Sequence, residues 1–113
     1  MKKPPPSAIR LRGVRYPSAA AIPPKVWLNN TLLNLEKSLK IKAHSICGFG
    51  WENDARGAAQ LALAICLELY AEELARQLAP HFRALFLDEI SGDNFDLTLN
   101  LAAFNEAYLT QLV

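Results

Sequence analysis

Apolar and basic residues alternate through Ile9-Arg10-Leu11-Arg12, the period of two that a half-buried strand requires. Gly13 behind them permits a bulge or a bend before Val14. Val26-Trp27-Leu28 and Thr31-Leu32-Leu33 flank Asn29-Asn30. Asparagine tolerates positive φ better than other side chains, so this spacing predicts a β-hairpin with a two-residue turn. Two strands are marginal alone, and the hairpin is expected to pair with the first strand and pack on helices. Between them, Tyr16 to Pro24 is broken by Pro17, Pro23 and Pro24 and reads as a loop. Ser18-Ala19-Ala20-Ala21 within it is too short and too poorly flanked for a helix. Leu35, Leu39 and Ile41 fit either a helical turn or a strand. The reading adopted is a turn leading into an extended Lys40-Ile41-Lys42.

Further along, the period becomes helical. Asn53-Asp54 offers a helix start, because an aspartate there accepts from the orphan N–H groups and complements the helix dipole. Ala58 to Leu67 is then apolar on nearly all sides, with Arg56, Gln60 and Glu68 marking a narrow polar edge. A helix of that kind belongs at the centre of a core. Polarity changes at Tyr70-Ala71, and Leu74, Leu78, Phe82 and Leu85 make a one-sided stripe from which Pro80 lies apart. A proline inside a helix removes a donor and kinks the rod. Gly92 suits a helix C-cap, and Asp93-Asn94-Phe95-Asp96 reads as a turn. Thr98 or Asn100 can cap a last helix with Leu101, Phe104, Tyr108 and Leu112 on one face. No internal repeat is visible. The expected fold is α+β: a small antiparallel sheet of about three strands from the N-terminal third, packed on about three helices.

The 113 residues bound this picture to one domain. A chain of this length buries about two thirds of its unfolded surface, enough for a core without metal or disulfide. Residues 1–8, basic and proline-rich, read as an arm in front of a domain over 9–113, since successive prolines neither join a ladder nor continue a helix. No run approaches the roughly 18 apolar residues that span a bilayer. No apolar stretch follows Lys2-Lys3 as a signal peptide would need. No membrane partner is therefore expected. Cys47 and Cys66 make no disulfide framework, which points to the reducing cytoplasm.

The net charge of +1 hides a split. Up to Lys42 nine basic residues face one acidic residue, a net of +8, and from Ala43 three basic face ten acidic, a net of −7. The halves can neutralise each other within one fold. Alternatively, a basic face of Arg10, Arg12, Arg15, Lys40 and Lys42 can meet nucleic acid, where phosphate neutralisation releases counterions. A third arrangement sets the basic face of one copy on the acidic face of another, giving a homodimer.

The most distinctive stretch is His44-Ser45-Ile46-Cys47-Gly48-Phe49-Gly50-Trp51 followed by Gly57-Ala58-Ala59-Gln60-Leu61-Ala62-Leu63-Ala64-Ile65. It resembles an uncharacterised family of small proteins scattered through bacterial, archaeal and phage genomes. That family's core reads His-Ser-Pro-x-Gly-Phe-x-Trp-Gly-Tyr-Gly-Gly-Ser-Gly-Pro-Ala-Gln-Leu-Ala-Leu-Ala-Ile. The resemblance covers roughly residues 9–112, including an aromatic-basic pair at Phe82-Arg83. It implies an α+β domain, supplies no activity, and by its distribution suggests a mobile-element accessory or host-modulating role. Ile46 stands where the family has proline, and Glu52-Asn53-Asp54-Ala55-Arg56 replaces Gly-Tyr-Gly-Gly-Ser. A glycine-rich loop opening a helix would cradle phosphate. Here the carboxylates of Glu52 and Asp54 repel phosphate and occupy the donors themselves.

Other chemistry is thinly represented. His44-x-x-Cys47 has a spacing that zinc uses, with Cys66 and His81 as remote partners. Cys66 lies in the apolar helix, where a free cysteine acts as a small hydrophobe, so no metal or cofactor is expected. Cys47 beside His44 could form a thiolate pair, or Ser45 a nucleophile, but no third orienting residue is evident. The bland alternative is that His44 and Ser45 hydrogen-bond the loop backbone while Phe49 and Trp51 plug the core. Asp88, Glu89, Asp93 and Asp96 lack the spacing of a calcium loop. Trp27 and Trp51 could stack bases, but their apolar neighbours assign them to packing. The expected function is a non-enzymatic module that binds another macromolecule, most simply a protein. The candidate contact residues are Arg10, Arg12, Arg15, Lys40, Lys42, His44 and Arg56. The alternatives are a nucleic-acid binder using the basic N-terminal face and a small metal protein or enzyme centred on the His44/Cys47 loop.

Overall fold

A computed structural model describes residues 6–112 of the chain, apart from the side chains of Ser18 and residues 109–112. The fold is α+β, with a four-stranded antiparallel sheet and four α-helices. The strands are β1 (Ala8–Val14), β2 (Lys25–Leu28), β3 (Thr31–Leu32) and β4 (Asn94–Asn100), in the order β3-β2-β1-β4. The helices are α1 (Leu35–Ile41), α2 (Ala55–Leu69), α3 (Glu72–Phe82) and α4 (Ala102–Leu112).

The alternation in β1 does what its period demands: Ile9 and Leu11 are buried while Arg10 is exposed and Arg12 partly so. Asn29 and Asn30 both take positive φ, 49° and 71°, and close the β2–β3 hairpin as expected. The fourth strand corrects the reading of Asp93–Asp96 as a turn. Asn94–Asn100 alternates polar and apolar residues throughout and pairs with the whole of β1, from Ala8 opposite Asn100 to Val14 opposite Asn94. That unbroken register leaves no bulge at Gly13. A Cβ there would lie 2.2 Å from the Phe95 ring, so the missing side chain makes room for the aromatic on the neighbouring strand. Thr98 accordingly belongs to β4 rather than to a cap, whereas Asn100 Oδ1 accepts from Ala102 N at the start of α4.

Residues 35–41 form a helix, with Lys40 and Ile41 inside it and only Lys42 extended. Asn34 starts it by accepting from the Lys37 N–H, a cap that the even mixture of residues hid. Asp54 caps α2 as expected, its side chain accepting from Gly57 N at 2.9 Å. From Leu61 to Leu67 every residue of α2 is buried, because the sheet, α1 and α3 enclose it. Each large aliphatic side chain buried in this way contributes about 1.5–3 kcal/mol.

Leu74, Leu78 and Phe82 face inward, but Leu85 is 51% exposed. The cause is a π turn over Arg83–Leu87, in which Asp88 N donates to Arg83 O. Its extra residue rotates the register, turning Leu87 rather than Leu85 into the core. Gly92 is not a helix cap. It takes φ 86° in the turn before β4, where its carbonyl accepts from Trp51 Nε1 and its N–H donates to Glu52. Of the expected arm, residues 1–5 lie outside the described residues. Pro6 and Ser7 run beside α4, their carbonyls accepting from Asn105 Nδ2 and Leu101 N.

Candidate functional site: a cationic cleft between α2 and α3

The organising residue is Gln60. Its place at the second turn of α2 suggests the polar edge, yet its side chain is fully buried. Gln60 Oε1 accepts from the backbone N–H groups of His44 (2.6 Å) and Ser45 (3.0 Å). Gln60 Nε2 donates to Ser38 Oγ (2.8 Å) and to the Lys42 carbonyl (3.1 Å). One amide thus uses both its donors and both its acceptor sites, clamping α1 and residues 42–45 to α2. The expectation that His44 and Ser45 hydrogen-bond the loop backbone is corrected: what holds the loop is instead their own backbone N–H groups, which donate to a side chain of α2.

This clamp sets Lys42 and His44 at the mouth of a cleft of about 580 Å³. Its apolar wall consists of Ala59 and Leu63 from α2 with Ala79 and Pro80 from α3. Around this wall stand Lys42, His44, Arg76 and Arg83, with Glu73 and Gln77 completing the lining. Arg83 opens the π turn immediately after the proline-containing end of α3. Its Nε is buried and donates no hydrogen bond; the nearest carboxylate oxygen, Asp88 Oδ1, is 3.9 Å away. Among the described residues, neither Lys42 nor Arg76 forms an ion pair. His44 is held below the ordinary histidine range, first by desolvation and then by the charges of Lys42 and Arg83. Like charges therefore converge here with Glu73 as the one carboxylate among the lining residues.

The remaining candidates sit elsewhere. Arg10 makes a two-toothed pair with Asp96 of β4, Nε to Oδ1 at 2.9 Å and Nη2 to Oδ2 at 2.6 Å. Their hydrogen bonds raise the Arg10 pKa and lower that of Asp96. Arg12 lies 5.2 Å over the Trp27 ring, with its Nε buried and without a partner. Arg15 donates to the Trp51 carbonyl, covers the Trp51 ring at 4.9 Å and lies 3.6 Å from Asp93. Lys40 and Arg56 are exposed and take no part in the cleft. The basic strand is thus packed against the strand that carries Asp96, in keeping with the arrangement in which the two halves neutralise each other within one fold. Three of the four ion pairs among the described residues join the basic half of the chain to the acidic half.

The four residues considered for zinc do not converge. Cys47 is exposed, Cys66 is buried in α2 and His81 stacks on Tyr108 at 4.6 Å. Among the described residues no group of three or more His, Cys, Asp or Glu could hold a metal ion. Phe49 and Trp51 are core residues as expected. Asp54 occupies the helix N-terminus, whereas Glu52 reaches instead to Gly92 N. Glu52 and Asn53 both take positive φ, 46° and 62°.

A family of unknown function, DUF6166, matches residues 16–109. The chain belongs to the DUF6166 family. No curated protein and no solved structure matches it. The matched span takes in every DUF6166 residue of the cleft, from Lys42 to Arg83, and Gln60 behind them. Sequence reasoning found Lys42 and His44 but missed Arg76, Gln60 and the role of Arg83. The pairing of Phe82 with Arg83 was the one signal that pointed toward the last of these.

Proposed function

We propose that the domain is a non-enzymatic interaction module that receives an anionic segment of another protein in the α2/α3 cleft. The observation that carries this is the convergence of Lys42, Arg76 and Arg83 on an apolar wall, with Lys42 and Arg76 outside every ion pair among the described residues and Arg83 paired only at 3.9 Å with Asp88. Cations held together in this way repel one another, and an incoming anion relieves the cost while the wall takes aliphatic carrier atoms. The lining includes no serine, threonine or cysteine to act as a nucleophile, which favours binding over covalent catalysis. The basic strand supports a nucleic-acid partner less well, because Arg10 and Arg15 already engage Asp96 and the Trp51 carbonyl. A role in mobile elements or in modulating a host, as the resemblance suggests, would be exercised through such binding.

The test is affinity capture from the native host with two baits, the wild type and a Lys42→Glu/Arg76→Glu variant of equal thermal stability. The expected result is a protein retained by the first and lost by the second, with cross-links from it mapping to residues 42–44 and 73–83. Equal retention by both baits, or salt-sensitive retention of nucleic acid alone, overturns the reading.

A further inference from the structure

β4 forms one edge of the sheet, and its outer side is open. We propose that this edge is an interface between copies of the chain, in which β4 pairs antiparallel with β4 of a second copy and the two sheets run on into one. Nothing in this pairing depends on the cleft.

Three observations support this. First, the backbone of the edge is unmatched. Hydrogen bonds from Arg15 N to Asp93 O and from Leu101 N to Ser7 O flank the β1–β4 ladder. Peptide groups alternate in direction along a strand, so Asp93, Phe95, Leu97, Leu99 and Leu101 turn theirs toward β1. Asn94, Asp96, Thr98 and Asn100 turn theirs outward, are exposed, and find no backbone partner among the described residues. Second, the edge lacks the usual guards against pairing. β4 has no lysine, arginine or proline, no bulge breaks its register with β1, and its one charge, Asp96, is already held by Arg10. The opposite edge is guarded by brevity, since β3 is two residues long. Third, the strand is complementary to itself. Centred on Leu97, its seven residues meet seven: Leu97 meets its own counterpart, Phe95 meets Leu99, Asp96 meets Thr98 and Asn94 meets Asn100. The outward-pointing groups then fall opposite one another, as an antiparallel ladder requires. The adjacent registers each leave one end of the strand unpaired, and one of them sets Asp96 against Asp96.

The packing of the strand argues in the same direction. Phe95, Leu97 and Leu99 lie opposite Gly13, Leu11 and Ile9 of β1, on the face that covers the core. Leu11 and Ile9 are buried, whereas Phe95, Leu97 and Leu99 are only partly so. A second β4 alongside sets an apolar residue against each of these three and a threonine against Asp96, the kind of cross-strand pairs that stabilise a sheet. The apolar layer then continues across the two-fold axis. The assembly closes at two copies, because each β4 has a single free side.

The test is amide hydrogen exchange and light scattering on the full chain over a concentration series. A dimer is expected to form as concentration rises, and with it the amides of Asn94, Asp96, Thr98 and Asn100 are expected to gain protection. Those of Phe95, Leu97 and Leu99 are protected at every concentration. Thr98→Pro removes an outward donor without touching the β1 ladder and is expected to weaken the dimer by about tenfold or more, since each copy loses a hydrogen bond. Thr98→Asp lies opposite Arg10 within its own copy, which balances its charge there, but faces Asp96 of the other copy and is expected to weaken the dimer comparably. In a Cys47→Ala background, Leu97→Cys is expected to form a disulfide between copies, because residues paired without hydrogen bonds bring their Cα atoms to about 4.5 Å. Thr98→Cys, although at a more exposed position, is expected to form none. A chain that stays monomeric up to about 1 mM, a dimer indifferent to both Thr98→Pro and Thr98→Asp, or cross-linking through Thr98→Cys in place of Leu97→Cys overturns the inference. Protection of the outward amides by host extract, with no change on concentrating the pure protein, assigns the edge to a different protein and likewise overturns it.

Discussion

Gln60 shows most sharply what a single position can carry. A glutamine beside Arg56 and Glu68 in a helical pattern looks solvated, and its four hydrogen bonds exist because α1 and the 42–45 loop close over it. Replacing it with leucine strands the His44 and Ser45 N–H groups; the expected cost is about 2–4 kcal/mol in denaturant unfolding. Residues 42–45 should also lose protection from hydrogen exchange. The two cysteines differ for an equally local reason. Burial raises the Cys66 thiol far above its ordinary range, while Cys47 is exposed. A thiol reagent is therefore expected to label one cysteine in the native protein, Cys47, and the second only on unfolding. Burial also pushes Tyr70 up to about 12, so its hydroxyl, which donates to Asn105 at 2.6 Å, stays protonated across the physiological range. His44 sets a pH dependence whose sign follows from its lowered pKa. Below the usual histidine range both folded and unfolded chains are protonated there, and the fold bears the penalty of a charge it disfavours; above that range the penalty is absent. Stability is expected to fall as pH drops from about 7 to about 5, and to fall less in His44→Gln, as measured by thermal melts across that window.

Among the elements, those with strong local rules are legible from the chain alone. β1, the Asn29-Asn30 hairpin, the Asp54 cap and the apolar α2 each follow from period, turn chemistry or capping. β4 was missed although its alternation is as regular as that of β1. Asp93 and Asn94 at its start read as turn residues, and Phe95, Leu97 and Leu99 are only half buried at a sheet edge. Its strand character becomes visible when β1 supplies the ladder. The contact of Gly13 with Phe95 ties the two strands together, and Gly13→Ala is expected to destabilise the protein by about 1–3 kcal/mol through overpacking against that ring. Gly57→Ala probes a second close approach, because a Cβ there would lie 2.6 Å from the backbone nitrogen of Gly50. The π turn at Arg83–Leu87 was equally hidden, since the Leu74–Leu85 stripe continues a regular α-helical period in the sequence. The added residue exposes Leu85, whereas Arg83, whose N–H still donates to Ala79 O, reaches the cleft in the register of α3.

Across the whole molecule, the division of charge along the chain becomes mixing in space. β1 carries Arg10 and Arg12 and its neighbour β4 carries Asp96, so Arg10 meets Asp96, while Lys37 of α1 reaches Glu68 of α2. Removing one partner exposes the charge of the other: Asp96→Asn is expected to increase retention on heparin relative to the wild type, with the melting temperature little changed because the pair is half exposed. An unchanged elution salt would show that Arg10 was never masked. The cationic excess that remains is the cleft, assembled from residues 42 to 83 of which only two had been singled out as contacts.

The sequence by itself determined the α+β class, the hairpin, the central apolar helix and the core placement of Phe49 and Trp51, because periodicity, φ preference and hydrophobicity act over a few neighbouring residues. Only the tertiary structure decided that Asn94–Asn100 is a strand, that Gln60 is an internal clamp, and that Arg76 and Arg83 join Lys42 and His44. Each of these depends on partners dozens of residues away, and a hydrogen bond or a shared electrostatic field leaves no periodic trace in either of the segments it joins.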